Sequence, residues 1–231
     1  MTASLLSSAL AERSYPGRGC LAARTTDGDR CLVYFVTGRS AASQDRSMRI
    51  APNGDVAVVG LSGSGDSDSL RHYVAVVKRD NWIVLGNGSQ VESIAEGLAT
   101  NGEVMSLWSE HSFEPDDPIF TPRIWLATRV ATDGFGCLIG YVLRSQRGDG
   151  RADRIAWLVE QIPAGSGILM TTYDGSIGNV HVNPHPVDVR VEGRDAQEIL
   201  EEVWINLSPN LRVASCSVRP DTFPHDLLII R

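Results

Sequence analysis

Short apolar runs punctuated by glycine, aspartate and asparagine dominate the chain. "CLAARTTDGDRCLVYFVTG" reads as two β-runs joined at Asp27-Gly28, a strong hairpin signal. "DVAVVGL", "YVAVVK" and "WIVLG" follow as further strands. "RIWLATRV" and "CLIGYVL" form a second hairpin around Asp133-Gly134, and "RIAWLVEQI", "GILMTTY", "LRVASCSV" and "LLIIR" complete the strand set. Helical spacing appears in three places. Val91, Ile94, Ala95 and Leu98 share one face behind Ser89 and Glu92, which form a capping-box signature. A second helical piece is expected around 103–111. The clearest amphipathic helix spans 195–207, with Ile199, Leu200, Val203 and Leu207 inward.

Consecutive hairpins predict antiparallel sheets, and the interspersed helices must cover their apolar faces. The fold class is therefore α+β, a single domain over residues 1–231, with 1–13 expected as a loosely attached N-terminal extension. The Gly/Ser/Asp stretch 62–69 lacks the lysine and the serine or threonine of a phosphate-binding P-loop, so it reads as a plain loop.

Composition narrows the functional classes. Apolar content of 42% in 231 residues supports a full hydrophobic core. A net charge of −7 argues against a nucleic-acid surface, though not against a local basic pocket for phosphate. Cys20, Cys31, Cys137 and Cys216 show no C-x-x-C spacing, which favours reduced thiols in a cytoplasmic protein over disulfides or a zinc site. No signal peptide or membrane span is read. His181 and His185 stand four apart, but Pro184 and Pro186 prevent the helix that would align them on a metal. No G-x-S-x-G elbow is present.

Five stretches combine glycine or proline with polar groups at strand ends, where sites are commonly built. They are "YPGRG" (15–19), "TGRSAASQDR" (37–46), "HY" (72–73), "GNGSQ" (86–90) and "FEPDDPIFTPRI" (113–124). Each has a plain structural reading as a turn, cap or acidic corner. In the last, prolines at 115, 118 and 122 exclude a regular helix and stiffen a loop holding Glu114, Asp116 and Asp117 beside Arg123.

In order and spacing, these stretches resemble the archaeal-type IMP cyclohydrolase family, which also has bacterial members. The likeness runs from "YPGRG" through "YFVTGRS", "GNGSQVESIAEGL", "FEPDDPIFTPRI" and "TTYDG" to "AQEILEEVW". The resemblance implies an αββα sandwich of the Ntn-hydrolase type that does not use an N-terminal nucleophile. It implies dehydrative ring closure of 5-formamidoimidazole-4-carboxamide ribonucleotide to IMP, with no metal or organic cofactor. The partner it implies is a small purine nucleotide precursor; self-association is also suggested.

By the same resemblance, Arg46 is the electrophilic donor and Tyr73 the proton-transfer or orienting group. Glu114 and Asp116 relay protons or fix the arginines. Arg18 and Arg39 are phosphate contacts, and Ser40, Asn87, Gly88, Thr121 and Arg123 line the nucleotide site. One departure stands out: the family pattern has asparagine where this chain has Asp45. A carboxylate only accepts hydrogen bonds, so Asp45 implies either a local salt bridge to Arg46 or a different substrate. Two alternatives stay open: a related cyclohydrolase acting on an analogous formamido-carboxamide nucleotide or nucleoside, and a non-catalytic nucleotide-binding protein.

Overall fold

A computed structural model describes residues 3–62, 72–130 and 134–231. In chain order the elements are β1 (Ser4–Leu5), α1 (Leu6–Ala11), β2 (Arg18–Arg24), β3 (Arg30–Thr37), α2 (Ala41–Gln44), β4 (Arg46–Ile50), β5 (Val56–Gly60), β6 (Tyr73–Arg79) and β7 (Trp82–Gly86). They continue with α3 (Gln90–Ala99), α4 (Val104–Leu107), β8 (Arg123–Arg129), β9 (Cys137–Arg144), β10 (Ala152–Val159), β11 (Ser166–Thr171), β12 (Asp174–Ser176), β13 (Asn179–His181), β14 (Val187–Arg190), α5 (Ala196–Asn206), β15 (Arg212–Val218) and β16 (Leu227–Ile230).

Two large sheets form, ordered β1-β14-β11-β2-β3-β15-β16 and β10-β9-β8-β7-β6-β5-β4. All their pairings are antiparallel except the short β1–β14 pair. β3 shows why its sequence is a near-continuous apolar run. Leu32, Tyr34 and Val36 enter the core between the sheets, while Cys31, Val33 and Phe35 pack on the other face with α1 and α5. A strand buried on both faces has no polar alternation to show. On the second sheet, Ile83 and Leu85 of β7 face the inter-sheet core, and Val84 meets Val91, Ile94 and Ala95 of α3. The layers are thus helix, sheet, sheet, helix, as expected.

Three local expectations are corrected. Of the expected loose extension, the described residues 3–13 are held in the fold: β1 pairs with β14, and Leu6, Ala9 and Leu10 are buried against α5 in the outer core. Six residues of helix were too few to show a period in the sequence. The Ser89 side chain makes no capping bond, because Ser89 itself has helical dihedrals (φ −62°, ψ −20°) rather than the extended ones a capping side chain needs. The helix expected over 103–111 is a single turn, α4. The loop expected over 62–69 and the turn at Asp133 lie almost wholly outside the described residues, though β8 and β9 pair as that hairpin requires. Among the described residues, no helix is long and apolar enough to cross a membrane. The four cysteines are buried free thiols.

Candidate active site

Antiparallel pairing brings the ends of several strands to one end of the sandwich. In the first sheet these are the start of β2, the end of β3 and the end of β11, where Arg18 faces Val36 and Thr171 faces Gly19. In the second they are the starts of β4, β6 and β8 and the end of β7. A cleft of about 290 Å³ opens there, lined by Tyr15, Arg18, Arg39, Ser40, Ala42, Ser43, Arg46, Glu114, Asp116 and Tyr173. Six of these ten are predicted site residues that lie far apart in the sequence.

Glu114 is the structural pivot. It is 2% exposed, and its two oxygens face two guanidinium groups. Arg18 Nη2 donates to Oε2 at 3.4 Å, and Arg123 Nη1 donates to Oε1 at 2.9 Å. The Asn87 amide adds a third donor to Oε1 at 3.2 Å. Asn87 is locked in turn: its nitrogen also donates to the Pro122 carbonyl, and its oxygen accepts from the Ile124 N–H. Gly88 has φ +120°, and a Cβ there would stand 2.1 Å from Arg123 Nη1. Only glycine lets the backbone take that conformation with the guanidinium so close. Asn87, Gly88 and Arg123 therefore stand behind Glu114 and hold it, instead of lining the cleft.

The stiff loop closes on itself through Asp116. Its Oδ1 accepts from the Thr121 N–H at 2.6 Å and its Oδ2 from the Thr121 hydroxyl, while the Glu114 N–H donates to the Thr121 carbonyl at 2.8 Å. Thr121, fully buried, also meets the Tyr173 hydroxyl. The Tyr173 ring stacks on Tyr15 with centroids 5.6 Å apart, and Arg39, exposed at the rim, lies over Tyr15 at 5.9 Å. Ser40 is also at the rim, capping α2 reciprocally with Ser43.

Arg46 differs from the other cleft cations. It is 4% exposed, donates from Nε to the Ser43 carbonyl at 2.7 Å and from Nη2 to the Thr37 carbonyl at 3.3 Å. Among the described residues no carboxylate pairs with it. Burial, then repulsion from Arg18, pushes its pKa down. Burial, the largest single influence, would do the same to Arg18, but the Glu114 carboxylate together with Tyr73, Tyr34 and Tyr173 outweighs it and the pKa rises. Asp45 does not form the salt bridge to Arg46 that the sequence suggested. Its carboxylate accepts from the Ser62 N–H and hydroxyl, and it is not part of the cleft wall.

Tyr73 is buried near both arginines, and its hydroxyl shares a 2.8 Å hydrogen bond with that of Tyr34. Tyr34, Tyr15, Ser43 and Tyr173 were not singled out from the sequence. Tyr15 and Tyr173 stood inside the quoted motifs "YPGRG" and "TTYDG". Tyr34 likewise opens the quoted motif "YFVTGRS", but in the middle of an apolar strand nothing marked its hydroxyl. The described residues hold no cluster of three or more histidine, cysteine or acidic side chains arranged for a metal. His181 sits instead beside Asp174, and His185 packs edge-on against Trp157.

A family model described as IMP cyclohydrolase-like protein matches residues 15–222, a span that contains every residue of the cleft. No curated protein shows a significant match to the chain. With nearly its whole length matched, the chain belongs to the IMP cyclohydrolase-like protein family.

Proposed function

We propose that the protein closes 5-formamidoimidazole-4-carboxamide ribonucleotide to IMP with loss of water, as the last step of purine synthesis in the cytoplasm. The observation that carries this reading is Arg46, a buried guanidinium with no acidic partner among the described residues, in a cleft that also holds Arg18 and Arg39. An unpaired buried charge is costly, so its retention fits a site completed by an electron-rich ligand.

The chemistry uses such a group. The carboxamide nitrogen attacks the formyl carbon and loses one proton as the formyl oxygen gains negative charge. The resulting hydroxyl then leaves as water while a neighbouring N–H gives up its proton. Arg46 donates to the developing oxyanion, a contribution of about 3–4 kcal/mol for one well-placed donor. Arg39 at the rim takes the 5′-phosphate, for which a planar guanidinium is well suited. Tyr73, fixed by Tyr34, orients the reacting groups and exchanges a proton with them. Glu114 is engaged by three N–H donors, so its part is to fix Arg18, not to act as a free base. Holding both reacting groups on one bound molecule supplies much of the remaining acceleration. Purified protein incubated with the formamido ribonucleotide is expected to yield IMP faster than buffer alone; binding without turnover would favour a non-catalytic nucleotide-binding protein.

A further inference from the structure

The Thr121 hydroxyl has a single proton and two polar neighbours. Asp116 Oδ2 can only accept as a carboxylate, so the Thr121 proton is committed to it. The bond between Thr121 Oγ1 and the Tyr173 hydroxyl then has one remaining direction: Tyr173 donates and Thr121 accepts. The chain runs one way, from the phenol through the threonine to the carboxylate. Asp116 is itself anchored by the Thr121 N–H at 2.6 Å, so the order cannot reverse by a simple rotation of the carboxylate.

This has a consequence at the cleft, which both Tyr173 and Asp116 line. With its proton turned inward, the Tyr173 oxygen can offer a ligand only its lone pairs. We propose that Tyr173 is a fixed hydrogen-bond acceptor that recognises an N–H or O–H donor of the bound nucleotide, and that Thr121 and Asp116 are positioning residues that set its polarity. The phenol stays neutral in this role, since burial pushes its pKa up to about 12. Stacking on Tyr15 fixes the ring plane, and thereby the direction of the lone pairs. The inference rests on the cyclohydrolase reading and adds a specificity element to that site. A ligand offering an acceptor at this position would meet an oxygen with no proton to give, and a site built to pair with a donor discriminates strongly against a ligand lacking it.

The test compares Thr121→Val, Thr121→Ser and Tyr173→Phe in steady-state kinetics with the formamido ribonucleotide, with IMP binding by calorimetry alongside. Valine keeps the shape of threonine and loses the relay; serine loses a methyl group and keeps it. Thr121→Val and Tyr173→Phe are expected to raise KM and the IMP dissociation constant about five- to tenfold, the range of one neutral hydrogen bond, with kcat changed less. Thr121→Ser is expected to stay within about threefold of wild type. The reverse order, valine tolerated and serine impaired, would assign Thr121 to packing and overturn the inference while leaving the function intact. An unchanged KM in Tyr173→Phe would overturn it equally. If Thr121→Val fails to fold, Tyr173→Phe and Thr121→Ser still decide. A wild-type protein that neither binds nor converts the nucleotide would remove the functional reading and this inference together.

Discussion

Arg18 and Arg123 hold the two oxygens of Glu114 from different sheets, Arg18 at the start of β2 and Arg123 at the start of β8. One buried carboxylate in the wall of the cleft thereby ties the two sheets together and sets the position of a cleft-lining cation. Arg46 has no such carboxylate among the described residues. On the proposed reading, the contrast separates the group that builds the site from the group that meets the ligand.

Arg46→Met tests that contrast. Methionine keeps most of the apolar stem and removes the buried charge, so the variant is expected to melt no lower than wild type. Its kcat should fall about 100- to 1,000-fold, the loss seen when one oxyanion donor is removed. Thermal melts and steady-state kinetics on the same preparation check both. A marked loss of stability, or a change confined to KM, would reassign Arg46 to structure or to binding.

Gly88→Ala tests the support behind Glu114. The new methyl group would collide with Arg123 Nη1 and the backbone would be strained at φ +120°. A destabilisation of about 1–3 kcal/mol is expected, with a loss of kcat/KM as Arg123 and Glu114 shift. Urea unfolding and kinetics measure the two; wild-type activity in the variant would show that Glu114 does not need this buttress.

The buried thiols and phenols give an alkaline signature. Burial pushes Cys137 and Cys216 up to about 12 and Tyr173 to about 12, and it also raises Cys20, Cys31, Tyr15, Tyr34 and Tyr141. A folded pKa above the ordinary value means that the neutral form is favoured by folding. That stabilisation is fully present below the ordinary values of 9.0 for thiols and 10.0 for phenols and is lost as pH rises towards about 12. The urea midpoint is expected to fall between pH 8 and pH 11, and the thiols to react with a disulfide reagent only on unfolding. Equal midpoints, or rapid thiol reaction in the native protein, would contradict this.

Leu10→Ala tests the N-terminal helix. Leu10 is 1% exposed against α5, and removing such a side chain costs about 2–5 kcal/mol. A truly loose extension would tolerate the change, with no shift in the melting temperature.

Much of the architecture was legible because hairpin turns and two-residue alternation are local signals, and α5 was legible because its apolar face repeats over three turns. Elements held by tertiary contacts left little trace. β14 and α1 are too short for a period, and the burial of Leu6 and Leu10 depends on α5, far along the chain. At the site, motif residues marked the cleft but not its division of labour. Asn87, Gly88 and Arg123 were expected beside the nucleotide and turn out to support Glu114. Their spacing reveals that they gather, whereas hydrogen-bond direction decides which of them faces the ligand. Tyr34 illustrates the limit: an apolar strand carries a hydroxyl whose role shows only once its partner on the opposing sheet, Tyr73, is in place.

The most direct measurement of the central claim is the rate of IMP formation from 5-formamidoimidazole-4-carboxamide ribonucleotide, followed by absorbance with wild-type protein, Arg46→Met and buffer. The account predicts marked acceleration by wild type over buffer and its near-complete loss in Arg46→Met. A wild-type rate equal to that of buffer, or an Arg46→Met rate equal to that of wild type, would contradict it.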